Sequence, residues 1–145
     1  MWRWTNVPIP ETYVAALLGA VVLQVVAPLK MPLPHGIARF LGWPALATGI
    51  GLAAWAVRSA GETDVDQPTR LVTTGAYAVS RNPMYVGWSL AILGAGAIRR
   101  NAWLLGAWLP ASRALHREVL AEEVRLAAAF GARYAAYAAR VGRYW

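Results

Sequence analysis

Four uncharged apolar runs divide this 145-residue chain, and their lengths set the first expectation. Residues 13–29 carry no charge over 17 positions and residues 40–57 none over 18, with Lys30, Arg39 and Arg58 at their borders. Both approach the roughly 20 residues that take a helix across a bilayer. Residues 82–98 and 101–112 form a third and a fourth run around Arg99, Arg100 and Asn101, which predicts a helical hairpin, fully spanning or partly re-entrant. The small-residue pairs Ala45/Gly49, Ala47/Gly51, Gly87/Ala91 and Ala91/Ala95 stand four apart and would allow close helix approach. Simple alanine and glycine richness also yields such pairs.

From residue 113 to 140 the period changes. Val119, Glu123, Leu126, Phe130, Tyr134, Tyr137 and Val141 recur three and four apart and share one helical face. Glu118, Glu122, Arg125 and Arg133 fall on the neighbouring polar face. Gly131 interrupts the pattern at a cost of about 1 kcal/mol relative to Ala, so a packing or binding reason is expected there. Residues 59–81, with Glu62, Asp64 and Asp66, are too long for an idle connection in so small a protein and read as a functional loop. The expected fold class is all-α: an integral membrane protein of about four transmembrane helices with a C-terminal amphipathic cytoplasmic helix, in a single domain.

Composition supports the membrane reading. At 58% hydrophobic and 14% charged, a soluble domain of this size could not bury its apolar surface. The absence of cysteine removes disulfides, thiolate nucleophiles and cysteine-based metal sites, and His35 and His116 are too far apart in sequence to read as a ligand pair. No metal is expected. The net charge of +7 comes from arginine and one lysine that flank apolar runs, a pattern of topology rather than of nucleic-acid binding. With four spans, one side holds Arg3, Arg58, Arg70, Arg81, Arg113, Arg117, Arg125, Arg133, Arg140 and Arg143, and the other Lys30, Arg39, Arg99 and Arg100. The richer side is expected to be cytoplasmic, and with it both termini. Residues 1–10 end in no small-residue cleavage site and read as an interfacial lead-in.

The candidate chemistry gathers at the entrance to the third run. Arg81 can fork onto a carboxylate or phosphate, and Asn82 can donate and accept hydrogen bonds. Asn82 is also a natural N-cap for a helix that starts at Pro83. Tyr85 and Trp88 are interfacial rings, and Gly87 permits close approach. An aromatic and arginine anchor at a transmembrane helix start explains the same residues. Glu123 lies on the apolar face, where an unpaired charge is expensive, so a partner or ligand is expected for it.

Residues 71–77 (Leu-Val-Thr-Thr-Gly-Ala-Tyr) with Arg81, Asn82, Pro83, Met84, Tyr85, Val86, Gly87 and Trp88 resemble the signature of the isoprenylcysteine carboxyl methyltransferase family, whose patterns related phospholipid methyltransferases share. A second block in order (Glu122, Glu123, Leu126, Phe130, Gly131, Tyr134, Tyr137, Val141 and Arg143) extends the resemblance over residues 61–145. It implies an integral-membrane enzyme that uses S-adenosyl-L-methionine, with two spans in 1–58 and the cofactor-binding and catalytic part in 59–145. It implies cofactor contacts from the Thr69, Arg70, Leu71 and Val72 backbone, from Tyr77, Asn82, Pro83, Met84, Tyr85 and Gly87, and from Glu122 as first glutamate of the pair. Arg81, Arg117 and Glu123 are the candidate catalytic residues, Arg81 for the methionyl carboxylate and Arg117 for an anionic headgroup.

The chain departs from the family where substrate is concerned. Glu118 stands where prenylcysteine-methylating members carry arginine, Asn82 where the eukaryotic enzymes have histidine, and Gly142 where proline is usual. Cofactor use therefore carries over better than the acceptor, expected to be a lipophilic small molecule or a lipid-linked group among the membrane lipids. Membrane enone and sterol reductases, which use NADPH, have Asn and Glu where this chain has Met84 and Trp88. A non-enzymatic scaffold accounts for the apolar runs but not for the second block.

Overall fold

The computed structural model describes residues 11–61 and 70–145. Glu62, Asp64, Asp66 and Thr69 lie outside the described residues, as does the lead-in. Five helices follow in order: α1 (Glu11–Val26), α2 (His35–Ala60), α3 (Pro83–Arg99), α4 (Ala102–Phe130) and α5 (Ala132–Ala138), with a 3₁₀ turn at Gly75–Ala78 before α3. The all-helical expectation holds for the described residues.

α2 buries its small side chains and exposes its large ones. Ala38, Gly42, Gly49, Ala53, Ala56 and Ala60 face inward, while Phe40, Leu41, Trp43, Ile50 and Trp55 are exposed. A helix in water does the reverse. Large apolar groups turned outward and small ones at the helix–helix seam are the pattern expected where lipid is the solvent. The seam is with α3. A Cβ on Gly87 would fall 2.8 Å from the Gly49 carbonyl, and one on Gly94 2.8 Å from the Gly42 carbonyl, so the backbones touch. Of the expected close-approach pairs, Gly49, Gly87 and Ala91 lie in the seam. Ala47 and Gly51 are exposed instead, because the seven-residue step from Gly42 to Gly49 selects the opposite face of α2.

α1 packs on α4 through Tyr13, Ala20, Leu104 and Leu115, with Ile92 of α3 completing the cluster. The two hairpin turns meet at one end of the molecule. Met31 N donates to the Arg100 carbonyl at 2.8 Å and Ala102 N to the Leu29 carbonyl at 3.1 Å. Arg100 takes a left-handed φ of 51° to cap α3, and the Asn101 side chain accepts from Leu104 N to start α4. This is the tight hairpin that the sequence predicts.

Among the described residues α2 is the helix with the length and apolarity to cross a membrane unaided, and α1 is a shorter apolar helix. Of the four expected spans, α2 meets both criteria by itself; α1 and α3 have 16 and 17 residues, and α4, at 29 residues, is long enough but not apolar enough. The C-terminal amphipathic helix is not separate either. It continues the fourth run as one 29-residue helix, α4, and the break falls at Gly131, where φ is 52°. Nothing between Ser112 and Arg113 breaks a helix; only polarity changes there. At about 1.5 Å per residue α4 is some 43 Å long. It carries Glu122 and Glu123 back to the level of the loop that precedes α3.

Candidate functional site

The loop of residues 70–82 is pinned at three points. Ala76 N donates to Ser59 Oγ at 3.0 Å, which fixes the 3₁₀ turn to the end of α2. The Tyr137 hydroxyl of α5 donates to the Tyr77 carbonyl at 2.7 Å. The last three residues clasp the C-terminal tail: Arg81 N donates to the Gly142 carbonyl at 3.0 Å, and Ser80 Oγ and Asn82 Nδ2 both reach the Arg143 carbonyl. Pro83 opens α3 at its first turn, as expected. Asn82 holds the N-cap position, as expected, but its side chain makes no capping bond and its amide is turned to the tail.

Glu123 finds its partners here. Its Oε1 accepts from Arg81 Nη2 at 2.9 Å and from Arg143 Nε at 3.0 Å, and its Oε2 from Arg143 Nη2 at 2.8 Å. Arg81 Nη1 donates to the Ala138 carbonyl. One carboxylate thus joins α4, the pre-α3 loop and the tail, with Arg81 tying in α5. Burial works against the charge on Glu123, but hydrogen bonds from Arg143 and the Arg81 charge outweigh it and hold the carboxyl below its usual range.

Two adjoining clefts open beside this junction. The larger encloses about 100 Å³ between Arg70, Leu71 and Val72, Tyr77, Arg81, Asn82, the α4 residues Val119, Glu122, Glu123 and Leu126, and Tyr134 and Tyr137 of α5. The smaller, of about 50 Å³, shares Tyr77, Arg81, Asn82 and Glu122 and adds Pro83, Met84 and Tyr85. Together they are walled by every described residue expected to contact the cofactor, apart from Gly87. Gly87 lies against α2 and serves the seam. Arg117 is exposed and lines neither cleft, because its place on α4 turns it from the stripe.

The walls are apolar with a few fixed polar groups. Burial first, then the Glu122 carboxylate, pushes the Tyr77 phenol up to about 12, and burial beside Tyr77 does the same for Tyr137. Both rings stay neutral and offer faces rather than charge. Arg81 Nε and the Tyr134 hydroxyl are buried without partners, and both residues line the larger cleft.

A further cavity of about 320 Å³ lies between α1, α3, α4 and the tail, lined by Tyr13, Leu93, Trp108 and Leu115 among others. Tyr85 belongs to its wall as well as to that of the smaller cleft. Tyr13 bonds Ser89 Oγ at 2.9 Å and Ser112 Oγ at 3.3 Å across it, and His116 Nδ1 lies 2.7 Å from the Tyr144 hydroxyl. Sequence reasoning assigned no role here to His116, Tyr144 or Tyr13, and none to Arg143 as partner of Glu123. A signal for His116 was present, since the stripe continues back from Val119 to His116 and Ser112 in steps of three and four.

No curated protein and no solved structure matches the chain. The model of the phospholipid methyltransferase family matches residues 37–133, two thirds of the chain, from the start of α2 through α3 and α4 into α5. The match takes in the first block, both glutamates and most of the cleft wall, and so this chain belongs to the phospholipid methyltransferase family.

Proposed function

We propose that the protein transfers a methyl group from S-adenosyl-L-methionine to a lipophilic or lipid-linked acceptor at a membrane face. The family supports methyl transfer to a lipid-type substrate, and the inside-out packing of α2 together with its span-length apolarity supports membrane association. The observation that carries the cofactor assignment is convergence. Two sequence blocks some 40 residues apart, recognised separately, wall the same pair of clefts.

The residues present suit this cofactor. When bound, it supplies a methyl carbon already activated by its cationic sulfur. Tyr77 and Tyr85 offer neutral aromatic faces for that cation, and Glu122 places a carboxylate beside both rings. Glu122 can also accept from ribose hydroxyls or the methionyl ammonium. The unpartnered donors Arg81 Nε and Tyr134 OH suit the methionyl carboxylate. Arg81 and Glu123 then act chiefly by holding loop, α4 and tail in register, because each binds the other at 2.9 Å. Alignment and water exclusion are most of what methyl transfer asks of a protein.

The side that carries the clefts also carries the greater share of basic residues, which makes it the cytoplasmic face in this proposal. Calorimetric titration of the detergent-purified protein tests the assignment. S-adenosylmethionine should bind, NADPH should not, and Tyr85→Ala and Glu122→Ala should each weaken binding in a folded protein. Unchanged affinity in both variants would remove the site from consideration.

A further inference from the structure

The 320 Å³ cavity is mostly apolar, and besides the Tyr13, Ser89 and Ser112 hydroxyls its wall holds a pair the cofactor clefts do not use. His116 of α4 and Tyr144 of the tail approach to 2.7 Å, with their rings tilted at 44°. Tyr85 is common to the walls of this cavity and of the smaller cleft, so the two spaces adjoin at its ring. The other hydroxyls of the cavity are engaged with one another: Tyr13 bonds Ser89 and Ser112, and Ser112 Oγ donates to the Trp108 carbonyl at 2.7 Å. Serine and tyrosine hydroxyls are poor bases at neutral pH, whereas a neutral imidazole is an effective one. Among the described residues that line the cavity, His116 has the basic nitrogen.

Resting on the methyltransferase reading, we propose that this cavity holds the acceptor and that His116 is its proton acceptor, oriented by Tyr144. Such a base serves an acceptor that must lose a proton before it can attack, as an ammonium must. With Nδ1–H donated to the Tyr144 oxygen, Nε2 keeps its lone pair. The acceptor ammonium gives one proton to Nε2 and becomes a free amine. Its nitrogen then forms a bond to the methyl carbon while the carbon–sulfur bond breaks, and the electron pair stays on sulfur. One proton is released per methyl transferred, and the imidazolium passes it on to solvent. Tyr144 is a positioning residue: burial leads in raising its phenol above the ordinary value, which keeps it neutral and fixed as partner to Nδ1.

The test compares acceptors that do and do not carry a proton. Methylation of a thioether yields a sulfonium and releases no proton, so it needs no base. The full chain in phospholipid nanodiscs is given labelled S-adenosylmethionine with either phosphatidylethanolamine or a long-chain alkyl methyl thioether. His116→Gln should lower transfer to the amine by about 100-fold or more while transfer to the thioether stays within about twofold. Tyr144→Phe should show the same selectivity to a lesser degree, and calorimetric cofactor affinity should be unchanged in both. A diazirine-bearing alkyl amine should photolabel residues 85–93 or 108–116 in the wild type with or without cofactor. Equal loss for both acceptors, undiminished amine transfer in His116→Gln, or labelling confined to other segments would overturn the proposal. Failure of the wild type to bind the cofactor at all would instead overturn the reading on which it rests.

Discussion

Arg81 and Glu123 meet at 2.9 Å across 42 residues of sequence, and Arg143 closes on the same carboxylate from the tail at 2.8 Å. The cleft exists because these three segments are held together. Replacing Glu123 by Gln leaves the buried Arg81 charge without its counter-ion and should cost about 1–3 kcal/mol, read as a lower Tm in detergent. The pH dependence has a definite sign. The folded-state pKa lies below the ordinary value of 4.5, so the stabilisation is complete above that value and fades as pH falls through the lower one. Wild type should lose more Tm than Glu123→Gln between neutral pH and about pH 3.

Tyr137 is nearly fully buried and its hydroxyl holds the Tyr77 carbonyl at 2.7 Å. Tyr137→Phe preserves the ring and removes that bond, a change worth about 1 kcal/mol. Because Tyr77 walls both clefts, part of the loss should appear as cofactor affinity reduced by up to about fivefold. An unchanged titration with a lowered Tm would assign the bond to stability alone.

Much of this site was legible in sequence because its physics is local. Apolar lengths gave the helices, the three-and-four spacing placed Glu123 inward, and a charge placed inward requires a partner. That the partners are Arg81 and Arg143 was not legible, since the reversal at Gly131 that returns the tail to the loop is a tertiary event. The same reversal explains why Asn82 occupies the N-cap position without a capping bond: its Nδ2 donates to the Arg143 carbonyl instead of its Oδ1 accepting from the first turn of α3. The separate amphipathic helix failed for a simpler reason. Polarity changes at Arg113, but no backbone signal accompanies the change, and the helix runs on to Phe130. His116 lies on the backward continuation of the stripe, but a lone histidine there has no assignable role until the fold sets Tyr144 beside it.

The α2–α3 seam gives a paired steric test. A Cβ on Gly49 would stand 2.6 Å from the Gly87 carbonyl, whereas one on Gly51 would meet nothing within 4 Å. Gly49→Leu should lower Tm strongly, overpacking here costing about 3 kcal/mol or more because rigid backbone cannot give. Gly51→Leu should leave Tm unchanged or raise it slightly, since leucine is the better helix former. Comparable losses in both variants would mean that the seam runs along another face of α2.

Topology offers the cleanest measurement, because the chain has no cysteine and every introduced thiol reports alone. Lys30 and Arg99 are exposed at the end where the two hairpin turns meet, and Arg58 and Arg140 are exposed toward the opposite, cleft-bearing end. If α1–α4 lie across a bilayer with the basic-rich end cytoplasmic, a membrane-impermeant maleimide should label Lys30→Cys and Arg99→Cys in intact cells. Arg58→Cys and Arg140→Cys should react only after permeabilisation. The pairs separate two questions. Lys30→Cys and Arg99→Cys on opposite sides would contradict the arrangement of the helices, whatever the orientation. Both pairs reversed would leave the arrangement intact and overturn the orientation, placing the clefts away from the compartment where the charge asymmetry puts them. Labelling of all four from outside would show that the apolar outer face of α2 is covered by something other than a spanned bilayer.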